Sequence, residues 1–319
     1  MKKILLLIFV GIQLANAATK DTIQGVNPFK KYYLFREEED CDACGCSANG
    51  GSMGFSSMLN NNFIGIRYVY QQYTTKEGVF NNSPWITENF NTLQIWSRIP
   101  ITNRIQLTAL LPYHNNNREL ITGKEAISGI GDLTFLGMYT LVQPKMDSTA
   151  VFTHKWQVGA GIKAPTGKYD QQNNGTLNSS FQLGTGSWDY LVATEYIIRR
   201  KSIGLNSALS YVYKTENQKQ YQFGNQFNYG STLFYFLDLD KIKLVPQLGF
   251  AGEVYAANKQ VKQEVLDSKG SVLFSKFGLE LGRKNLSVGI NMMNPIKQNL
   301  TGGNVQAKYR IGFNFNYSL

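Results

Sequence analysis

Most of this chain alternates between apolar and polar residues with a period of two. The pattern is unbroken at the end of the sequence, where Tyr309, Ile311, Phe313, Phe315, Tyr317 and Leu319 alternate with Arg310, Gly312, Asn314, Asn316 and Ser318. A period of two is typical of a β-strand whose two faces meet different surroundings. The fold must therefore supply an apolar environment for one whole face of each strand.

About twelve segments follow this pattern, and each has roughly the 9–11 residues that a tilted strand needs to cross a membrane. We predict strands at 62–76, 89–101, 104–115, 127–143, 151–168, 187–199, 202–215, 221–238, 241–257, 270–283, 285–295 and 306–319. Short turns, such as Thr102-Asn103, alternate with long loops, such as 114–126 and 295–305. This rhythm is typical of a transmembrane barrel, which has tight periplasmic turns and long outer loops.

The predicted fold class is therefore all-β, a transmembrane antiparallel up-and-down β-barrel of about 12 strands that spans 61–319. Closure into a barrel pairs every backbone N–H and C=O group without water, as hydrocarbon requires. No apolar run approaches the ~18 residues of a transmembrane helix. A barrel of ten or fourteen strands remains an alternative, as does a secreted soluble sandwich, whose strands also alternate.

The first 17 residues have the pattern of a secretory signal peptide, with two lysines, an apolar run at 4–10 and Ala15-Asn16-Ala17. Residues 18–60 are predicted to form an irregular N-terminal segment that caps the periplasmic mouth or plugs the lumen. Export and a barrel together predict the outer membrane of a Gram-negative-type cell. The expected partners are the lipid bilayer, the barrel-assembly machinery through the C-terminal strand, and a small-molecule solute. The net charge of +10 comes from scattered residues, so nucleic acid is not expected as a partner.

Charged residues fall on the polar face of the predicted strands, which in a barrel lines a wet lumen. An Arg or Lys on the lipid face at mid-membrane would cost about 2–4 kcal/mol. The predicted lumen-lining residues are Arg67, Arg104, Asp132, Lys163, Glu195, Lys243, Lys276, Glu280 and Arg310. Since both signs are present, ion pairs are expected to cross-link part of the lumen.

Three cysteines stand close together ahead of the first strand, at Cys41, Cys44 and Cys46. One interpretation is a disulfide with a spare thiol, which export to an oxidising compartment favours. The other is a soft-metal site for Cu(I) or Zn(II), to which the thioether of Met53 could contribute. No fourth ligand is visible at a defined spacing, and no other cofactor is expected.

Enzymatic activity is not expected, although some outer-membrane barrels modify lipids. Such chemistry needs a histidine and a serine within hydrogen-bond reach, oriented by a third polar group. His114, which we place at the outer rim, is the candidate histidine. No sequence feature selects a serine to act with it.

Three middle segments have recognisable motifs: SGIGDLTFLGMYTL, GAGIKAPTGKYD and FQLGTGSWDYLVATEY. They resemble the outer-membrane transporter family named after phenol-degradation (meta-pathway) gene clusters, in particular a subset with an N-terminal Cys-rich segment. The resemblance covers the middle third of the chain and implies a barrel related to carriers of hydrophobic compounds. Taken by themselves, Pro165-Thr166-Gly167 predicts a turn and Gly184-Thr185-Gly186 a flexible hinge.

The predicted function is a channel or transporter for small solutes, with hydrophobic compounds among the candidates. A first alternative is a metal-linked envelope protein that uses Cys41, Cys44 and Cys46. A second is an outer-membrane lipid-modifying enzyme.

Overall fold

The structure, a computed structural model, describes residues 57–76, 83–143, 151–169 and 181–319. Its strands are β1 (Phe63–Lys76), β2 (Trp85–Pro100), β3 (Ile105–Leu120), β4 (Gly123–Ile130), β5 (Leu133–Val142), β6 (Thr153–Ala164), β7 (Asp189–Arg200), β8 (Ile203–Lys214), β9 (Tyr221–Gln222), β10 (Gln226–Tyr235), β11 (Leu237–Leu239), β12 (Ile242–Tyr255), β13 (Lys259–Gln260), β14 (Gln263–Glu264), β15 (Gly270–Arg283), β16 (Leu286–Leu300) and β17 (Val305–Ser318). A 3-10 turn at Thr301–Gly303 joins β16 to β17. In the described part of the chain, no helix is long and apolar enough to cross a membrane.

Twelve strand positions form a closed antiparallel ring. β4 and β5 both pair with β3, and β10 and β11 both pair with β12, so each of these two pairs occupies one position. The ring closes because β1 pairs with β17, from Phe63↔Ser318 to Thr75↔Val305. β9, β13 and β14 form a small separate sheet. The predicted twelve-stranded barrel is confirmed, and the soluble sandwich is wrong.

Most side chains that face the barrel interior are polar, and most large apolar side chains of the strands are exposed on its outer face. Along β1, Ile64 and Ile66 are 45% and 51% exposed, whereas Arg67 and Gln71 are almost fully buried. The same alternation continues in β2, where Leu93 and Ile95 are exposed on either side of the buried Gln94. A soluble sheet would have the opposite arrangement, so this outer surface is suited to lipid.

The two ends of the barrel differ in their connections. At one end, which we call the terminal mouth, lie Phe63, Leu319 and the short turns that join β2 to β3, β7 to β8, β11 to β12, and β15 to β16. Lys201, Asp240 and Lys284 take a left-handed backbone conformation, with φ of 52° each, to make three of these turns. The opposite end, the loop mouth, carries the connection from β6 to β7 and the connections that contain β9, β13 and β14. In outer-membrane barrels the short turns face the periplasm.

Two predicted long loops are largely strand. In the segment 114–126, β3 continues to Leu120 and β4 begins at Gly123, and in 295–305, β16 continues to Leu300. Asparagine side chains connect these outer parts of the strands: Asn89 Nδ2 donates to Asn117 Oδ1 over 3.0 Å, and Asn91 Nδ2 donates to a backbone carbonyl of β3 over 2.9 Å. Both faces are polar here, so the apolar alternation could not reveal the strand.

Candidate functional site

The barrel interior contains the charged side chains of the middle strands, and several form polar networks. Arg67 donates to the Gln94 side-chain oxygen from Nε and Nη2, over 2.9 and 2.7 Å. On another portion of the wall, Glu195 accepts hydrogen bonds from Arg98 at 3.3 Å and from Asn206 at 2.7 Å. All five side chains are buried, which places charge and hydrogen-bonding capacity deep inside the ring.

Three other residues that were predicted to line the lumen lie elsewhere, two of them at the terminal mouth and one inside the barrel. Arg104 and Lys243 lie on the inward-facing phase of their strands but at the terminal mouth, where both are exposed. Arg104 reaches the outward Tyr139 hydroxyl at 3.4 Å. Lys276 lies inside the barrel and donates to Thr232 Oγ1 at 3.4 Å. All three share the inward phase, but the barrel ends at the terminal mouth and does not enclose Arg104 and Lys243.

One fully buried ion pair inside the barrel joins Arg310 to Glu253. Arg310 Nη1 lies 2.6 Å from Glu253 Oε1, and Nη2 lies 2.9 Å from Oε2, so the pair is bidentate. The Tyr73 hydroxyl also contacts the guanidinium, and the Tyr255 hydroxyl donates to the Glu253 carboxylate. Phe274 lies beneath the guanidinium, with its ring centroid 4.4 Å from Cζ. Glu253 was not among the predicted lumen-lining residues, although its side chain lies on the inward face of β12.

A second ionic centre, which we call the carboxylate anchor, consists of Asp132, Lys163 and Asp189. Lys163 Nζ lies 3.0 Å from Asp132 Oδ2 and 2.6 Å from Asp189 Oδ2. The Thr185 hydroxyl accepts from Lys163 over 2.7 Å, and the Ser187 hydroxyl donates to Asp189 over 3.0 Å. One cation between two carboxylates leaves a buried site with net negative charge, which backbone N–H donors can stabilise.

The connection between β6 and β7 supplies those donors. We call its described residues, 165–169 and 181–188, the inserted loop. The N–H of Gly167 donates to Asp132 Oδ1 over 3.0 Å, and the N–H of Thr185 donates to Oδ2 over 2.9 Å. A Cβ on Gly184 would collide with the Asp132 carboxylate and with Gly167, so this close approach requires glycine. The segment predicted as a flexible hinge is instead bonded and largely buried.

Phe181 carries the inserted loop into the interior. Its ring is 1% exposed and lies 4.1 Å from the Arg118 guanidinium carbon and 6.1 Å, edge to face, from the Phe90 ring. Arg118 in turn pairs with Glu125 at 2.8 Å and Glu88 at 3.6 Å. Phe181 belongs to a cluster of buried apolar side chains, and we call the following inward-facing members the aromatic cluster: Val69, Tyr73, Phe90, Phe181, Tyr255, Phe274 and Met293.

Residues 57–62, the basal segment, occupy the terminal mouth. Glu280 accepts hydrogen bonds from the Ser57 hydroxyl at 2.9 Å and from the backbone N–H groups of Met58 and Leu59, each at 3.1 Å. Across the mouth, Lys155 Nζ donates to Asn61 Oδ1 at 2.6 Å. The end of the predicted plug segment, 57–60, therefore contacts the barrel wall. The rest of 18–60 lies outside the described residues.

His114 does not lie at the outer rim as predicted. It is buried inside the barrel, and its Nδ1 lies 2.9 Å from the Thr92 hydroxyl, because β3 extends well past it. The described residues contain no group of three or more His, Cys, Asp or Glu side chains that could hold a metal ion. Cys41, Cys44, Cys46 and Met53 all lie outside the described residues, so the soft-metal site stays a prediction.

Comparison with solved structures supports the barrel fold. An outer-membrane channel of Pseudomonas putida F1 is similar, with a TM-score of 0.61 and 14% identity, over 82% of this chain and 97% of that one. The beta domain of the Bordetella autotransporter BrkA has a TM-score of 0.45 and 9% identity, over 81% of this chain and 100% of that one. A Pseudomonas aeruginosa FadL homologue has a TM-score of 0.39 and 6% identity, over 86% of this chain and 98% of that one. Only the first of these likenesses is strong enough to carry an argument about fold.

The predicted outer-membrane location agrees with this fold and with the apolar outer surface. No curated protein matches the chain in sequence. One family model does match, described as a putative MetA-pathway of phenol degradation, and it covers residues 70–316, most of the barrel. By that match the chain belongs to the phenol-degradation MetA-pathway family, as the three middle motifs predict.

Proposed function

We propose that this protein is an outer-membrane channel for small organic solutes, including partly hydrophobic ones. The observation that carries this proposal is the aromatic cluster, a group of buried apolar side chains on the inner face of a barrel whose other inward residues are mostly polar. The inner wall of a general water-filled porin is polar. When the inserted loop moves and withdraws Phe181, the remaining side chains of the cluster give a solute with an apolar part a surface to contact.

The magnitude of that contact is sufficient to matter for permeation. Burying apolar surface contributes about 25 cal/mol per Å². A ring of about 150–250 Å² that is half covered by the cluster would therefore gain roughly 2–3 kcal/mol before other costs. That gain is large enough to favour entry and small enough to allow release, which conduction requires.

The inserted loop and the basal segment define two constrictions in the proposed path. At the loop mouth, Phe181 packs among the aromatic cluster, while at the terminal mouth Glu280 holds residues 57–59. Hydrogen bonds and packing hold both constrictions, and neither is a strand of the ring. Each can move without breaking the barrel ladder, so we assign gating to these two segments.

Transport is favoured over catalysis by the surroundings of the candidate histidine. The described partner of His114 Nδ1 is a threonine hydroxyl, and the ring lies against Gly131, where a Cβ would collide with it. Because of this packing, we interpret His114 as a structural residue of the barrel wall, next to the carboxylate anchor. The alternative of a metal-linked envelope protein remains a separate prediction, which metal analysis of a Cys41→Ser, Cys44→Ser, Cys46→Ser variant would test.

The proposed function is tested by reversal potentials in planar bilayers. The probes are benzenesulfonate and ethanesulfonate, which carry the same charge and differ in the aromatic ring. We expect the aromatic anion to permeate at least as well as the smaller aliphatic one, and Phe90→Ala to lower that ratio. Phe315→Ala, which removes the same group from the outer face, is the matched control. Absence of conductance, or exclusion of the larger anion with no change on Phe90→Ala, contradicts the proposal.

A further inference from the structure

The turns of the terminal mouth carry a concentration of exposed basic residues. Three turns that are consecutive around the ring, between β7 and β8, β11 and β12, and β15 and β16, contribute most of them. We call this group the basic arc: Arg199, Arg200, Lys201, Lys241, Arg283 and Lys284. All six side chains are exposed, and in the described part of the chain no ion pair engages them.

Acidic groups are few along the same rim. Asp238 and Asp240 are the exposed acidic residues of the described terminal mouth. At the loop mouth, by contrast, the exposed basic side chains among the described residues are all lysines, and four acids are interspersed: Glu119, Glu216, Glu264 and Asp267. Arginine at the terminal mouth is informative because its planar guanidinium binds phosphate oxygens in a bidentate way.

Two of the arginines are held in place by aromatic rings. Arg199 lies 4.3 Å from the Phe236 ring centroid, and its Nε donates to the Lys201 carbonyl over 2.6 Å. Arg200 lies 5.6 Å from the ring centroid of Phe152. This ordering lowers the entropy that the side chains would lose on binding a ligand.

The basic arc lies directly at the edge of the apolar outer surface. Large exposed apolar residues flank each of its turns, including Ile203, Leu239, Ile242, Leu281 and Leu286. Lipid chains that cover these residues bring their headgroups to the level of the turns. A phosphate at that level has several exposed cations within reach.

We propose that the basic arc binds the headgroups of anionic phospholipids, such as phosphatidylglycerol, in the periplasmic leaflet. The ligand is a lipid rather than an acidic soluble protein because the cations border the lipid-facing surface and continue it. The inference goes beyond the proposed channel and does not depend on it. The barrel could bind such lipids whether or not it conducts.

Trp156 offers a natural reporter for this proposal. It faces outward on β6, is 42% exposed, and is paired with Tyr196. Arg200 is four residues beyond Tyr196 on the same face of β7, which is about 13 Å along the strand at ~3.3 Å per residue. The indole therefore lies among acyl chains of the lipids whose headgroups contact the arc.

The experiment uses a protein in which Trp85, Trp96 and Trp188 are replaced by Phe, reconstituted in phosphatidylcholine vesicles. Brominated phosphatidylglycerol or brominated phosphatidylcholine is added at equal mole fraction, and quenching of Trp156 gives a relative binding constant. We expect a relative binding constant of about 5 in favour of the anionic lipid, because one basic residue near the membrane surface strengthens binding by about that factor. The preference should fall toward 1 in 1 M salt, because salt screens exposed charges.

Two variants of equal charge change separate the arc from the rest of the surface. Arg199→Gln, Arg200→Gln, Lys201→Gln together should reduce the preference to about 1, since they remove the attraction near the reporter. Lys262→Gln, Lys269→Gln, Lys308→Gln, at the loop mouth, should leave it unchanged. If the protein with an unmodified arc gives a relative binding constant of 1, the proposal is overturned, and an acidic soluble protein becomes the alternative ligand. The proposal is also overturned if the triple arc variant shows the same lipid preference as the protein with an unmodified arc.

Discussion

Asp132 holds the inserted loop in place, and its replacement by alanine should release that loop while the barrel stays intact. The carboxylate accepts two backbone N–H bonds, from Gly167 at 3.0 Å and from Thr185 at 2.9 Å, and a third bond from the Thr185 hydroxyl at 3.0 Å. It also contacts Lys163 at 3.0 Å. None of these bonds belongs to the ladder that closes the ring.

The magnitude follows from these contacts. A hydrogen bond to a charged group contributes about 1.5–3 kcal/mol, but bonds that share one acceptor do not add fully. Lys163 keeps Asp189 at 2.6 Å, so the variant does not leave an unpaired buried cation. We expect a loss of about 3–5 kcal/mol in the free energy of loop detachment, which raises the detached fraction by roughly 10²- to 4 × 10³-fold at 1.4 kcal/mol per tenfold.

Hydrogen exchange of the amide protons of Gly167 and Thr185 measures this detachment directly. In Asp132→Ala both amides should exchange faster by about the factor above, since exchange reports local opening. Amides of the β1–β17 seam should keep their protection. Single-channel conductance should rise in the same variant, because the loop bearing Phe181 leaves the lumen more often.

The matched control is Glu119→Ala, which removes one carboxylate from an exposed ion pair with Lys124 at the loop mouth. An exposed pair contributes only about 0–1 kcal/mol, so loop exchange and conductance should not change. Retained protection of the Gly167 and Thr185 amides in Asp132→Ala would refute the assignment of Asp132 as the anchor.

Three further perturbations test other regions of the structure. Phe181→Ala removes a buried ring, which should cost about 3–5 kcal/mol of local packing free energy and raise conductance. Phe181→Leu should retain most of the packing, and bilayer recordings compare the two variants. Glu280→Ala should free the basal segment, and in a Cys41→Ser, Cys44→Ser, Cys46→Ser background a biotinylated cysteine placed at Met58 should then bind streptavidin more readily than it does with Glu280 intact. Ile95→Arg places a cation on the outer face and should destabilise the folded barrel by about 2–4 kcal/mol in urea titrations with vesicles, whereas Ile95→Leu, which keeps the outer face apolar, should not.

The strand pattern could be predicted because lipid and lumen impose opposite demands on neighbouring residues. Where a strand lies in the membrane, as at Ile64 to Tyr70, alternation of apolar and polar residues identifies both its presence and its inward face. Above the membrane that demand disappears. The polar ends of β3 and β16 are strands whose two faces both meet water or protein, so alternation gave no signal there.

The interior contacts could be predicted only to a limited extent. The inward phase of Lys163 and Asp132 followed from alternation, but their pairing depends on which strands become neighbours and at what register. Asp189 stood in a recognised motif, yet its ionic role could not be inferred from one strand alone. Phe181 lay in a long connection, where no period indicates whether a side chain points into the ring or into solvent.

The pairing of the first strand with the last also has a kinetic consequence. A ring has no terminal strand from which unfolding could start, so any first step must separate a pair of neighbouring strands and leave both rows of peptide groups unpaired in hydrocarbon. Each such group costs several kcal/mol there. Because the seam from Phe63↔Ser318 to Thr75↔Val305 closes the ring, every pair of neighbouring strands meets this barrier. Once assembled, the protein should persist through a slow rate of opening, in the manner of a kinetically trapped state.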